Sequence, residues 1–346
     1  MTKRTQTRKV KIGKINVGHS SNIVIQSMTN TKTSDVKATV KQINELVNAG
    51  CKLVRVAVMD KNDLKGLKQI INKVKCPLIA DIHYDYKLGI KCLELGVKAI
   101  RINPGNIGGL NNFKKVIDAA KKHHAVIRIG INAGSLHSKK PSNSEIIKIM
   151  KQYVSFAEKN KFYDLVLSVK SSDPKQTKEI NFLLAKNFKY PLHLGVTEAG
   201  NIETALIRST IGLQPILESG IGDTIRISIT GNPIDEVRIA KLLLNECGIN
   251  QNLTKVISCP TCGRTAKNFV KLYNSLMSYI NAHPIKKAKV AIMGCYVNGI
   301  RETQNSDLGI FGSNNSFVII FKSKTIGTFN LEKAISNFIK YYSKLI

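Results

Sequence analysis

Ala125-Val-Ile-Arg-Ile-Gly-Ile-Asn132 is a β-branched run in which Arg128 and Asn132 stand an even number of residues apart. On an extended strand that spacing puts both side chains on one face. Comparable runs recur at 22–28, 53–58, 77–83, 99–103, 165–170, 191–197 and 224–229, which makes eight expected strands. Helix-like stretches follow near 35–49, 61–74, 86–95, 110–122, 143–159, 174–186, 202–218 and 233–247. Asp35 and Ser142 read as helix caps, and Glu145, three residues after Ser142, completes a capping-box pattern. Eight strand-helix repeats over about 250 residues predict an α/β fold, a (β/α)8 TIM barrel. A six-stranded Rossmann-like sheet is the alternative, but no G-x-G-x-x-G follows the first strand.

After residue 250 the pattern changes. Cys259-Pro-Thr-Cys262 is followed by a helix-like stretch near 266–281, a strand-like run 288–293 ending at Cys295, a polar Gly-rich run 298–315, a strand 316–321 and a helix near 330–344. A small α+β domain is expected there, with the boundary in the polar segment 248–254. The expected domains are therefore 1–250, a substrate-binding barrel, and 251–346, a cysteine-bearing unit.

Composition narrows the class. With 43% hydrophobic residues, and 24 glycines and 9 prolines in 346 positions, a packed core is feasible. No apolar stretch is long enough for a membrane helix, and the opening MTKRTQTRKVKIGKINVG has no signal-type apolar run. A cytoplasmic protein is expected. The odd count of seven cysteines then favours thiols, metal ligation or catalysis over a disulfide frame. The net charge of +30 raises attraction for anions, but its lysines are spread along several helices and select no partner.

Barrel enzymes carry their chemistry at the C-terminal ends of the strands. Here those ends read Gln26-Ser-Met-Thr-Asn30, Arg55, Asp81-Ile-His83, Arg101-Ile-Asn103, Arg128 to Asn132, Ser168-Val-Lys170, His193, Thr197-Glu198 and Arg226-Ile-Ser228. Pairs two or four apart, Asp81 with His83, Arg101 with Asn103, Arg128 with Asn132 and Ser168 with Lys170, can point together into the mouth. Arg55, Arg101, Arg128 and Lys170 then converge. Such a cluster is costly without anions, and guanidinium forks suit phosphate oxygens, so a diphosphate-bearing ligand is the simplest occupant. The alternative is that the arginines pair with Asp81, Asp85, Glu198 or Asp223 and stitch the barrel. His83 and His193 fit either substrate contact or a structural hydrogen bond. The Gly-rich runs 103–109 and 219–223 could offer N–H groups to phosphate but are weak signals alone.

Cys259-x-x-Cys262 and Cys295 supply three soft ligands. Cys51, Cys76, Cys92 and Cys247 sit within apolar patterns and read as buried thiols. A zinc ion or four-iron cluster would still lack one ligand. Glu302, seven residues past Cys295, is the nearest candidate; it reads equally as a solvated loop residue.

Eight motifs in order carry a resemblance: 24–31 (VIQSMTNT), 80–83 (ADIH), 101–108 (RINPGNIG), 128–136 (RIGINAGSL), 193–200 (HLGVTEAG), 220–226 (GIGDTIR), 258–264 (SCPTCGR) and 294–299 (GCYVNG). Together they resemble the bacterial 4-hydroxy-3-methylbut-2-enyl diphosphate synthases over nearly the whole chain. The resemblance implies a two-electron reductive ring opening of 2-C-methyl-D-erythritol 2,4-cyclodiphosphate with loss of water, in the non-mevalonate route to isoprenoids. It also implies a [4Fe–4S] cluster on Cys259, Cys262, Cys295 and Glu302, with Glu302 giving way to substrate. Flavodoxin or ferredoxin would be the reductant, and a homodimer is implied. Arg55, Arg101, Arg128, Asn132 and Lys170 would hold the diphosphate, while Asp81, His83 and Asn103 would contact the ring or order water. Two departures stand out: Ile300-Arg301 replaces the family's Pro-Gly before Glu302, and Arg208, a further substrate contact on this reading, stands where lysine is expected. The rival readings are a pterin-binding transferase on the same kind of barrel, which leaves the cysteines idle, and a zinc module on a nucleic-acid binder, which lacks a second close Cys/His pair.

Overall fold

The computed structural model describes residues 4–19, 22–135, 141–249 and 253–346. Leu136 of the 128–136 motif and residues 250–252 of the expected boundary lie outside that set. Two compact units emerge, Met1–Ile249 and Asn250–Ile346.

In the first unit a short antiparallel hairpin, β1 (Val10–Ile12) and β2 (Ile15–Val17), precedes the repeats. The first repeats are β3 (Val24–Met28) with α1 (Val36–Asn48), β4 (Leu53–Ala57) with α2 (Lys61–Ile71), β5 (Leu78–Asp81) with α3 (Tyr86–Glu94), and β6 (Ala99–Ile102) with α4 (Leu110–Lys122). The rest are β7 (Val126–Asn132) with α5 (Asn143–Lys159), β8 (Leu165–Lys170) with α6 (Pro174–Asn187), β9 (His193–Leu194) with α7 (Ile202–Glu218), and β10 (Thr224–Ile225) with α8 (Pro233–Glu246). The strands pair in the order β8-β7-β6-β5-β4-β3-β10-β9, and a parallel bridge from Leu167 to Leu192 brings the ends together. This is a (β/α)8 barrel.

Local chemistry starts the helices where expected. Asp35 accepts from Ala38 N, and Ser142 with Glu145 forms the full capping box. Ile127, Ile129 and Ile131 are wholly buried in the core that also holds Phe113 and Ile117 of α4. The hairpin was not anticipated from the sequence. Its Val10, Ile12 and Val17 are buried with Leu53, Ile79, Ala99, Val126 and Val166, near the N-terminal ends of their strands. Each such burial stabilises by roughly 1.5–3 kcal/mol and closes that end of the barrel to water. Access is left to the C-terminal face.

The expected strands 191–197 and 224–229 shorten to two residues each. A Cβ at Gly195 would stand 2.6 Å from both Arg226 O and Lys170 Nζ, so after Leu194 the chain runs too close to its neighbours for a side chain. The extended run therefore continues as loop rather than ladder.

The second unit is a five-stranded sheet with helices. It comprises β11 (Lys255–Ser258), α9 (Phe269–Ala282), β12 (Lys289–Met293), α10 (Tyr296–Gln304), β13 (Leu308–Ser313), β14 (Ser316–Phe321), β15 (Lys324–Phe329) and α11 (Leu331–Tyr342). β11, β12 and β13 pair in parallel and β13, β14 and β15 antiparallel, in sequence order. Leu272, Leu276, Val290, Ile292, Ile310, Phe317 and Phe338 form its separate core. The run 298–315 is not the polar loop expected. With Ile300-Arg301 in place of Pro-Gly, nothing interrupts α10 before Gln304, since both are far better helix residues than proline or glycine. β13 then follows within four residues.

Candidate active site

At the C-terminal ends of the barrel strands lies a cavity of about 90 Å³. Arg55 of β4, Asp81 of β5, Arg101 of β6, Arg128 and Asn132 of β7, and Ser168 and Lys170 of β8 line it. His83, Gly130, Thr197, Arg226 and Ser228 complete the lining. Register explains the convergence. Asp81 is level with Arg101 and Arg101 with Arg128, while Gly130 is level with Ser168 and Asn132 with Lys170, one and two same-face steps further along β7. Arg101 lies across Gly130, where a Cβ would come within 2.8 Å of its Nε, and its Nη2 donates to Gly130 O at 3.0 Å.

Five basic side chains thus face one carboxylate in the lining. Asp81 sits 3.8 Å from Arg55 Nε and 3.5 Å from Arg101 Nη1. Burial opposes its ionisation, yet Arg55, His83, Arg101 and Arg128 outweigh that and hold the carboxyl well below the usual range. Arg226 has its own partner outside the lining, Glu236 of α8, at 2.8 Å. Arg128 donates through Nη1 to Gln26 Oε1 at 2.9 Å, but its buried Nε has no partner.

The cations destabilise one another. Burial, only partly offset by Asp81, lowers the Arg55 pKa to about 10, and burial together with Arg55 and Arg101 lowers that of Arg128. Burial, followed by Arg226, Arg128 and Arg55, pushes the Lys170 ammonium well below its ordinary range. The same surroundings keep His193 neutral: it is wholly buried, bonded through Nδ1 to Thr224 Oγ1 at 2.7 Å, with Nε2 unpartnered. Such an ensemble has one chemical use, to receive an anion with several charged oxygens.

His83 Nε2 lies 2.8 Å from Arg101 Nη1. Its Nδ1 lies 2.9 Å from Asn106 Nδ2, so the ring is held between two N–H groups, a guanidinium on one side and an amide on the other. Seven of the nine residues expected to bind substrate therefore border one cavity. Asn103 does not: its Oδ1 accepts from Gly105 N at 3.1 Å and shapes the turn after β6. Arg208, half-buried on α7, donates to Glu198 O at 3.2 Å and is outside the lining. Arg226 and Ser228, named among the polar strand ends, were not among the expected substrate contacts, although they carry the same spacing of two that marked Ser168 with Lys170.

In the second unit Cys259 follows β11 and Cys295 follows β12, adjacent parallel strands whose ends are level at Ser258 and Ile292. Gly294 N donates to Cys259 Sγ at 3.0 Å. A hydrogen bond from the Arg264 backbone, the Arg264 charge and contacts with Thr265 together lower the pKa of the exposed Cys262 thiol despite slight desolvation. Glu302 is half-buried on α10, whose N-cap is Cys295. Seven residues along a helix return to nearly the same face, about 10 Å further on. Among the described residues, no three Cys, His, Asp or Glu side chains stand close enough together to hold a metal ion. The donor types nonetheless fit an iron–sulfur cluster: three soft sulfurs, one of them accepting a backbone N–H and another favoured as thiolate, with one harder carboxylate.

A barrel with an anion-receiving mouth, followed in the chain by a unit carrying three cysteines near the ends of two parallel strands, defines the class: a barrel enzyme with a cysteine-bearing second unit. Comparison with known proteins makes the class particular. Residues 7–241 match the GcpE TIM-barrel domain and residues 255–344 the GcpE protein C-terminal domain, so the chain belongs to the GcpE family. It is 43% identical to the 4-hydroxy-3-methylbut-2-en-1-yl diphosphate synthase (flavodoxin) of Caldanaerobacter subterraneus subsp. tengcongensis, over 99% of this chain and 98% of that one. To the enzyme of the same name from Clostridium perfringens it is 42% identical, over 97% and 98%. Among solved structures, the dihydropteroate synthase of Yersinia pestis superposes with a TM-score of 0.53 at 11% identity, over 70% of this chain and 99% of that one. That likeness concerns the barrel fold alone.

Proposed function

We infer that this chain catalyses the reductive ring opening and dehydration of 2-C-methyl-D-erythritol 2,4-cyclodiphosphate to 4-hydroxy-3-methylbut-2-enyl diphosphate, in isoprenoid precursor biosynthesis. End-to-end likeness to synthases of that name supports the reading. The observation that carries it is the group of five cations around one cavity. In this reaction two electrons and one proton enter, the bond from C2 to a phosphate oxygen breaks, and water leaves from C3. The diphosphate gains one negative charge. Cations that repel one another are best satisfied when that charge is greatest, so they favour the transition state over the bound substrate.

Arg55, Arg101, Arg128, Lys170 and Arg226 hold the diphosphate, with Asn132 and Ser168 as neutral partners. Asp81 keeps Arg55 and Arg101 from turning away, and His83 with Asp81 orders the ring or a water beside it. Asn103 and Arg208 act at one remove, through the turn after β6 and the carbonyl of Glu198. Cys259, Cys262, Cys295 and Glu302 would hold a [4Fe–4S] cluster, which when bound supplies the electrons singly. The carboxylate of Glu302, the hardest of these ligands, would be the one held least firmly. The division into a substrate-binding barrel, 1–250, and a cluster-binding unit, 251–346, belongs to this reading.

The names of the relatives favour flavodoxin over ferredoxin as reductant. A homodimer in the cytoplasm completes the proposal, with neither nucleic acid nor membrane as partner. No helix among the described residues is long and apolar enough to cross a membrane. The test is protein purified without oxygen. About four irons and four sulfides per chain, and dithionite-driven conversion of the cyclic diphosphate, are expected; stoichiometric zinc without colour or turnover would overturn it.

One consequence is a proton taken up on binding. Burial and the neighbouring arginines depress the Lys170 ammonium, and an anion beside it opposes that shift. Between the lowered and restored pKa values, binding protonates the amine, and affinity falls as pH rises through that window. Titration calorimetry with inorganic pyrophosphate in buffers of unlike ionisation enthalpy should show uptake, and Lys170→Met should abolish it. Heats independent of buffer would refute the coupling.

A further inference from the structure

Glu236 belongs to the first turn of α8, has no place in the cavity lining, and is 2% exposed. Its carboxylate accepts from Arg226 Nη2 at 2.8 Å, Arg226 Nε at 3.0 Å, Ser27 Oγ at 2.6 Å and Ile229 N at 3.4 Å. One buried carboxylate therefore joins α8, the end of β3 and the segment after β10. The two oxygens take the Nε–Nη2 edge of the guanidinium, the bidentate geometry that fixes its plane as well as its place. What remains is the Nη1 end, whose one hydrogen bond among the described residues is to Met28 Sδ at 3.9 Å, a weak acceptor. Arg55 and Arg101 share Asp81 inside the cavity, whereas Arg226 is gripped from outside it.

We propose that Glu236 is a positioning residue of the barrel site: it clamps one edge of Arg226 so that the other edge is presented to the phosphate whose bond to C2 breaks. The proposal rests on the reading that this cavity receives the cyclic diphosphate. A different function for Glu236, mere compensation of charge, predicts the opposite sign. Removing a carboxylate that only compensates leaves the cavity more positive, and anions bind more tightly. Removing a clamp leaves Arg226 free to turn, because glutamine offers the guanidinium one acceptor and confronts it with an N–H2 group.

The experiment uses the full chain with inorganic pyrophosphate as probe and dithionite-driven turnover as the second readout. For Glu236→Gln, pyrophosphate Kd should rise about tenfold and kcat fall further than KM changes, since an oriented donor matters most when charge has developed. Glu236→Asp, charged but one carbon short, should not restore kcat. The paired change Arg226→Met with Glu236→Met leaves neither charge buried alone, so it should fold even where the single Glu236 variant does not. If Glu236 acts through Arg226, the pair should be no worse than Arg226→Met alone. Tighter pyrophosphate binding by Glu236→Gln, or a pair markedly worse than Arg226→Met, would overturn the proposal. An inactive wild type that still binds pyrophosphate would count against the assigned reaction, while the two binding comparisons would still decide for or against the clamp.

Discussion

Arg128→Ala is expected to weaken binding of the cyclic diphosphate, and of pyrophosphate, by about 30- to 4000-fold while leaving the melting temperature unchanged or raised. The two effects have opposite signs for one reason. Arg128 is among the most deeply desolvated cations in the cavity, with Gln26 Oε1 its one hydrogen-bond partner among the described residues and Arg55 and Arg101 beside it. In the empty protein its charge is opposed by burial and by both neighbours, so truncation relieves repulsion. The space left is polar, and water can fill it. In the complex the same guanidinium is a buried, charge-assisted donor to phosphate. Loss of one partner from such a pair costs about 2–5 kcal/mol, which at 1.4 kcal/mol per decade gives the stated range. Calorimetric titration and thermal unfolding of the same preparation check both halves. Unchanged affinity removes Arg128 from the site; a large fall in melting temperature makes it a structural residue.

How far such a site can be read from sequence depends on where regular backbone stops. The period of two holds along β7 and β8, so Arg128 with Asn132 and Ser168 with Lys170 were paired correctly from spacing alone. It fails at Arg101 and Asn103 because β6 ends at Ile102 and the next residues make a turn, which Pro104-Gly105 could have signalled. Arg226 and Ser228 fall past the two-residue strand β10, yet both border the cavity. There Arg226 N still donates to Leu194 O at 3.0 Å, a strand-like bond one residue past the end of β10. Glu236 was out of reach for another reason: a helix-borne carboxylate earns its place through tertiary contacts with Ser27 and Arg226, 209 and 10 residues away along the chain. In the second unit the cysteine spacing was legible, but the helix through Glu302 was masked by a polar, glycine-bearing composition.

Cys295→Ser should abolish the visible absorption, deplete iron and reduce turnover by more than about 100-fold, the scale on which even outer-shell partners of a metal matter. Pyrophosphate binding should stay at the wild-type value, because the cations belong to a unit with its own core. Normal turnover in this variant would revive a barrel transferase with idle cysteines. Glu302→Ala is the sharper test of the fourth ligand. Its backbone carbonyl, on α10, accepts from Ser306 Oγ at 2.8 Å, and that bond survives the substitution. Alanine is also the better helix former, so α10 has no reason to unravel. A changed spectrum, with the cluster lost or reduced to three irons while the three thiolates remain, would therefore report a lost ligand rather than a damaged fold. An unaltered spectrum with full turnover would return Glu302 to the status of a half-buried helix residue.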